Sequence, residues 1–303
     1  MITYLQHQEI DQLKWDLCLE QASNPMVYGY SWYLNQVSPG WDALILDDYQ
    51  AVMPLTWHRK YFVRYLFQPF FTQQLGIFAK AEVTQDLVKE FITAIPRRFK
   101  FIEIHLNEKN FFLSEKYPLL KRKNYVLNLS KPYEKIAKDY STQAARNLKK
   151  AKKHEIEIKT IPFAEVVTFY KLHKGAVTKG LKQVHYLNLA NLLEVANQRG
   201  KLFSKGVYSR SGELLACGCF LVQKGRIIFL LGNASMSGRE SGAMHYLMDN
   251  LIFQFANHKM VFDFEGSEIP GIARFYKSFG AIKVHYYRLK KNRLPWIMRL
   301  FKY

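Results

Sequence analysis

The stretch LFSKGVYSRSGELLACGCFLVQKGRIIFLLG, residues 202–232, constrains the fold more than any other. Three apolar runs are separated by turn pairs at Ser211-Gly212 and Lys224-Gly225, which predicts three consecutive antiparallel strands. A helix follows, with Met244, Leu247, Met248, Leu251 and Phe255 on one face. Then come the strand VFDFE, the short helix GIARFYKSF and the strand AIKVHYYRL. A basic helix over 140–154 and two further helices, around 163–178 and 187–199, precede the three strands. The first half offers the same order. A strand at 2–5 leads to helical spacing of Ile10, Leu13 and Leu17, a second helix over 28–37, and two strands in WDALILDDYQAVMPLTW with a turn at 47–50. The strand QLGIF, a helix marked by Val83, Leu87, Val88, Phe91, Ile92 and Ile95, and the alternating strands FIEIHL and YVLNL complete it. The chain therefore reads as an internal structural repeat with slight sequence similarity between its halves. The fold class is α+β or mixed α/β, with two tandem domains. Each holds a largely antiparallel mixed sheet with helices on both faces. The pattern breaks at PLLKRKN, so the expected domains are 1–124 and 125–287, followed by a basic tail over 288–303.

A chain of 303 residues with 49% apolar residues can fill two cores. Its formal charge of +19 is concentrated: residues 131–205 carry 16 Lys and Arg against 6 acids, and residues 288–303 carry 6 bases and no acid. Such a field attracts phosphates, RNA or an anionic lipid surface, or else simply solvates the protein. The cysteines Cys18, Cys217 and Cys219 are too few for a disulfide framework, and Cys217 and Cys219 suit buried thiols on one face of a strand. No metal site is expected. The acidic N-terminus lacks the apolar run of a secretory leader, and no uncharged apolar stretch reaches spanning length, so a cytoplasmic protein is expected.

The doubled order of elements resembles the GNAT acyltransferase fold, and two copies in one chain resemble the Fem-type aminoacyltransferases and related double-GNAT acyltransferases. The residues that carry the likeness are FDFEG followed by GIARFYKSFGA, the basic segment ARNLKKAKKHEIEI, and QPFFTQQLGIF in the first half. Fem-type enzymes tend to place Phe-Lys before Phe-Gly in the last helix, the lysine serving transfer from aminoacyl-tRNA. Here the pair is Phe275-Tyr276, which resembles the single-domain GNAT pattern in which the tyrosine protonates the departing CoA thiolate. The resemblance implies acyl-CoA, for instance acetyl-CoA, as co-substrate.

Acyl transfer to an amine needs a phosphate site, a base, an oxyanion donor and an acid. For the phosphates, NASMSGRESGAMHYL sets Asn233, Arg239, Ser241, Gly242 and Ala243 before the long helix, where free N–H groups hold anions. The alternative is an ordinary Ser/Gly cap. For the base, Asp263 and Glu265 share a face at a strand end, with Glu265 the better placed; the alternative is ion pairing to Arg274 or the basic helix. Tyr276 is the candidate acid, although Ile272, Phe275, Tyr276 and Phe279 also form one apolar stripe, and a packed aromatic is equally consistent.

The first half lacks these features, so it is read as shaping the acceptor site, with Gln73 and Gln74 lining a cleft or else bonding a strand end. Arg146, with Lys149, Lys150 and Lys153, lies on one helical face and suits phosphate; Arg274 is a further substrate-binding candidate. The tail KKNRLPWIMRLFKY suits either an interfacial helix on anionic lipid or a segment returning to the first domain. Three functions stay open at this point. They are acyl-CoA-dependent transfer to a small-molecule or cell-wall-precursor amine, Fem-like transfer from aminoacyl-tRNA to a peptidoglycan precursor, and non-catalytic binding of RNA or anionic membrane.

Overall fold

The computed structural model describes residues 1–173 and 180–294. It divides into two units, Met1–Arg122 joined by the segment that begins at His285, and Lys123–Val284.

In the first unit, β1 (Ile2–Leu5) leads to α1 (Gln12–Gln21) and α2 (Ser31–Val37). Asp11 caps α1 by accepting from the N–H groups of Leu13 and Lys14 at 3.0 and 3.1 Å, an arrangement worth about 1 kcal/mol. The expected apolar stripe of α1 is wrong. Leu13 and Leu17 are 86% and 51% exposed, and the helix buries Trp15, Cys18 and Leu19 instead. Trp15 decides the facing: its ring lies 4.6 Å from Trp41 and its indole N–H donates to Gly29 O at 2.8 Å. Next come β2 (Asp42–Leu46) and β3 (Ala51–Leu55), then a hairpin of β4 (Trp57–Lys60) and β5 (Val63–Leu66) that the polar run HRKYFVR conceals. The expected strand QLGIF shrinks to β6 (Phe78–Ala79) and a single bridge between Leu75 and Leu106. The Asn110 side chain there accepts from Ile77 N at 2.6 Å and donates to Ile77 O at 3.0 Å, standing in for a neighbouring strand. α3 (Gln85–Ala94) buries Val88, Phe91 and Ile92 as its spacing predicts, and β7 (Phe99–Leu106) follows. The strand orders are β1-β2-β3-β6 and β4-β5-β7, the latter completed by the last strand of the chain.

The second unit starts within β8 (Leu119–Asn128) and runs through α4 (Tyr133–Ala137), α5 (Thr142–Lys153), β9 (Glu157–Thr160), α6 (Phe163–His173) and α7 (Gln183–Gln198). The far end of the helix expected over 163–178 lies outside the described residues. The three strands expected from residue 202 are β10 (Leu202–Tyr208), β11 (Leu214–Gln223) and β12 (Arg226–Ala234). They form an antiparallel meander with pairs such as Gly206↔Cys217 and Gly218↔Gly232. Then follow α8 (Met236–Ser241), α9 (Ala243–Phe255), β13 (Val261–Asp263), α10 (Pro270–Lys277) and β14 (Ile282–Asn292), whose residues from His285 onward belong to the first unit. The tail residues 295–303 lie outside the described residues.

The sheet order here is β8-β13-β12-β11-β10-β9. α9 covers one face, packing Leu247 and Leu251 with Ala216 and Phe220. α6 covers the other, where Glu165 accepts from the Tyr208 hydroxyl at 2.8 Å and its charge, after burial, pushes the Cys217 thiol up to about 12. One junction matters for function. β12 and β13 are parallel and pair only at Arg226↔Val261, Ile227↔Phe262 and Ile228↔Asp263. From Phe229 to Ala234, β12 continues with no strand paired on that side among the described residues, which leaves backbone groups facing an opening.

Candidate functional site

The opening beside β12 is a cavity of about 470 Å³ lined by Phe229, Gly232 and Asn233 of β12, Gly238 and Arg239 of α8, Gly242, Met244 and His245 at the start of α9, and Ile272, Phe275 and Tyr276 of α10. That volume falls within the usual range of small-molecule sites. A second cavity of about 560 Å³, lined by Ser141, Gln143, Arg274, Lys277 and Ser278, shares His245, Gly271 and Phe275 with the first. A hollow of about 490 Å³ at Ile2, Lys89, Glu90, Thr93 and Ala94 in the first unit holds none of these groups.

The segment expected to be a Gly/Ser loop is the short helix α8, capped by Ser235, whose hydroxyl accepts from Gly238 N at 3.0 Å. Gly238 lets this helix press on β11: a Cβ there would stand 1.9 Å from Leu215 O. The chain then breaks at Gly242, which adopts φ +77° and lies so close to α5 that a Cβ would meet Asn147 O at 2.6 Å. The break restarts a helix, so α9 presents the unpaired N–H groups of its first turn at the cavity wall. Of the expected phosphate-site residues, Asn233, Arg239 and Gly242 line the cavity. Two do not. Ala243 is buried in the core under α9, and the Ser241 hydroxyl turns back to Gly238 O at 3.3 Å. Arg239 Nε donates to Ala234 O at 3.3 Å, and no partner for its Nη groups exists among the described residues.

Tyr276 is both a packed aromatic and a residue of the cavity wall. Its ring belongs to an aromatic core, 5.1 Å from Phe264, 5.8 Å from Phe275 and 6.0 Å from Tyr125. The residue also lines the cavity, and no hydrogen-bond partner for its hydroxyl exists among the described residues. Burial first, then the charge of Glu265, raises its pKa above the usual phenol value, so it stays protonated. Glu265, half-buried and at φ +57°, is therefore held near Tyr276 by the turn after β13.

Asp263 has another role. It is fully buried, its Oδ2 meets Arg226 Nη1 at 2.5 Å, and its Oδ1 accepts from Glu265 N at 2.9 Å. Arg226 reaches Asp263 because the parallel register sets Arg226 opposite Val261, two residues from Asp263. Asp263 thus positions Glu265 and is shielded from solvent. Arg274 is exposed and lines the second cavity. Arg146 is exposed on α5 and lines neither cavity. Gln73 and Gln74 are buried inside the first unit, where Gln74 Nε2 donates to Gln73 Oε1 at 2.5 Å and Gln73 O contacts His105 Nδ1 at 3.2 Å. Among the described residues, no group of three or more His, Cys, Asp or Glu is arranged to hold a metal ion, and no helix is long and apolar enough to cross a membrane.

No protein-family model matches the chain, and no curated protein matches it in sequence. Solved structures do. FemX is 12% identical with a TM-score of 0.65, covering 92% of this chain and 96% of its own. L-PGS from Bacillus licheniformis is 12% identical with a TM-score of 0.59, covering 96% and 95%. A tandem GNAT protein from the clavulanic acid biosynthesis pathway, solved without AcCoA, is 9% identical with a TM-score of 0.56, covering 97% and 99%. The fold is that of a tandem GNAT protein. At these identities the likeness is one of architecture, and the residues must speak for the chemistry.

The sequence did not single out His245 within the second unit. It stands on the first turn of α9, three residues after Gly242, edge-on to Phe275 at 4.8 Å and bonded from Asn147 Nδ2 at 3.1 Å. Burial pushes its pKa down to about 4, so the imidazole is neutral at pH 7. A test follows from the sign of that shift. The unfolded imidazole takes a proton below its ordinary value of 6.5 and the folded one only near 4, so stability is full above pH 6.5 and falls as pH drops through that window. His245→Gln is expected to remove up to about 3 kcal/mol of the loss between pH 7 and pH 4, read as denaturation midpoints at both values. Parallel pH profiles for the two proteins would show that His245 is not held neutral.

Proposed function

We propose that the second unit binds an acyl-CoA and transfers its acyl group to an amine. The observation that carries this reading is that Tyr276, whose hydroxyl has no partner among the described residues, lines the same cavity as Arg239 and the start of α9. In this reading the pyrophosphate lies at Gly242 and Arg239, where α9's N–H groups and a guanidinium with unused donors favour anions. The thioester arm runs along the unpaired edge of β12, whose N–H groups between Phe229 and Ala234 receive the carbonyl oxygen as it becomes an oxyanion. The amine loses a proton to Glu265, directly or through water, and attacks the carbonyl carbon. The C–N bond forms, the C–S bond breaks, and the Tyr276 proton passes to the departing thiolate. Proton uptake by Glu265 removes one of the charges that raise the Tyr276 pKa, so the tyrosine becomes a better acid as the leaving group needs it. Arg274 and Lys277 in the adjoining cavity suit an anionic group on the acceptor.

The test is binding of acetyl-CoA by calorimetry and by thermal shift. Arg239→Ala is expected to weaken it about tenfold, the effect of losing one charge-assisted contact, without changing the fold. Absence of any shift with acetyl-CoA or longer acyl-CoAs would remove the proposal. A second reading, Fem-like use of aminoacyl-tRNA, is supported by the exposed cations Arg146, Lys149, Lys150 and Lys153 on α5. tRNA binding whose affinity falls steeply with salt, in place of CoA binding, would favour it.

A further inference from the structure

The β4–β5 hairpin of the first unit exposes what a folded chain normally hides. Its two-residue turn is Tyr61-Phe62, closed by the Lys60↔Val63 pair, and the two side chains are 82% and 90% exposed. Tyr61 adopts φ +54°, a conformation that two-residue turns usually give to Gly or Asn. Tyrosine therefore does not suit its place in the turn, and both residues are left largely in solvent. Cations of the hairpin strands lie over its rings. Arg59 lies 5.7 Å from the Phe62 centroid, Lys60 lies 5.7 Å from the Tyr61 centroid, and Arg64 lies 5.1 Å from that of Trp57. No Asp or Glu occurs between Asp48 and Glu82.

The sheet brings more positive charge to the same end. The parallel register Arg64↔Phe99 puts the turn level with the residues just before β7, where Arg97 is exposed, and Lys100 is exposed one residue into the strand. The antiparallel register Asn292↔Phe101 brings the end of β14 there too, and Arg293 N donates to Lys100 O at 2.7 Å. The sequence then continues beyond Leu294 as PWIMRLFKY, again aromatic, apolar and basic without an acid.

We propose that this end of the first unit, led by Tyr61 and Phe62, docks on an anionic phospholipid bilayer. Two rings at the tip of a turn, with cations set back from them, match the layering of a membrane surface. The rings enter the boundary of headgroups and acyl chains while Arg59, Lys60, Arg64, Arg97 and Lys100 meet lipid phosphates. An edge strand guarded only against pairing needs the charges and not the exposed rings. Single-stranded RNA stacks on aromatic platforms set in a groove, and a protruding turn offers no such groove. The inference does not depend on the CoA reading, since it concerns the other unit and another ligand.

The test is sedimentation of the full chain with vesicles of phosphatidylcholine alone or with about one-third phosphatidylglycerol, at low and high salt. Binding is expected only to the anionic vesicles and is expected to weaken with salt. The double variant Tyr61→Asn, Phe62→Gly places a favoured turn pair in the hairpin, so folding is kept while the rings are lost. Its vesicle binding is expected to fall about tenfold or more. In Phe62→Trp, emission is expected to shift to the blue on anionic vesicles and to be quenched by bromine-labelled acyl chains. The proposal is overturned if wild type does not bind, if the double variant binds as wild type does, or if the Phe62→Trp emission is insensitive to brominated lipid. Retention of tRNA that the double variant loses, with no vesicle binding, would assign the same tip to RNA.

Discussion

Tyr276→Phe is expected to lower the rate of CoA thiol release in the presence of an amine by about 10²- to 10⁴-fold, the range for a positioned proton donor. The KM for the acyl donor and the thermal midpoint are expected to stay nearly unchanged. The second half of this expectation separates the acid from the core-filling aromatic. The Tyr276 ring packs on Phe264, Phe275 and Tyr125, and phenylalanine keeps each of those contacts. The hydroxyl has no protein partner among the described residues, so its removal leaves no donor or acceptor stranded. A merely structural tyrosine would therefore tolerate the change at no cost in rate. The pH profile gives an independent reading. Glu265 raises the Tyr276 pKa after burial does, so Glu265→Gln is expected to shift the high-pH limb of kcat toward lower pH as well as to slow amine deprotonation. A Tyr276→Phe protein that keeps its kcat would leave the cavity without an acid, and the proposed transfer would need another donor.

How much of this was legible in the sequence depended on whether local pattern or tertiary contact made the decision. The meander from Leu202 to Ala234 was readable because Ser211-Gly212 and Lys224-Gly225 punctuate apolar runs, and α3 was readable because Val88, Phe91 and Ile92 recur at helical spacing. The facing of α1 was not, because Trp15 finds its partners at Gly29 and Trp41, far along the chain. The β4–β5 hairpin was hidden because strands recognised by apolar alternation are those that cover a core, and β4 lies at a sheet edge with three of its four residues exposed. At the site, Asn233, Arg239 and Gly242 could be proposed from the Gly- and Ser-rich stretch before the long helix, and Tyr276 from the resemblance of the last helix to the GNAT pattern; all four line the cavity. Ser241 and Ala243 were misplaced because the stretch is helical rather than a loop, and the last residue of α8 and the first of α9 are buried. His245 carried no signal beyond its position one turn after Gly242. Arg226 carried none either, since its meaning depends on the short parallel register of β12 with β13.

That register underlies the largest stability effect expected for this chain. Asp263 is fully buried and Arg226 is 18% exposed at its side chain, so the pair is an interior ion pair whose carboxylate has no access to water. Arg226→Met leaves the charge without its partner and is expected to destabilise the second unit by about 3–5 kcal/mol, read as a lower denaturant midpoint. Adding Asp263→Leu removes the stranded charge, and the double variant is expected to recover most of the loss. Additive losses would show that the two residues do not act as a pair. Asp263→Asn asks the catalytic question of the same residue. Its remaining oxygen can still accept from Glu265 N, while its amide would face Arg226 donor against donor. The expected outcome is a less stable protein whose kcat stays within about tenfold of wild type, because Glu265 remains placed beside Tyr276. A collapse of kcat at unchanged stability would instead make Asp263 the base. The contrast is physical: a carboxylate that must take a proton from an amine needs access to the substrate, and a carboxylate that holds a turn needs the seclusion that Asp263 has.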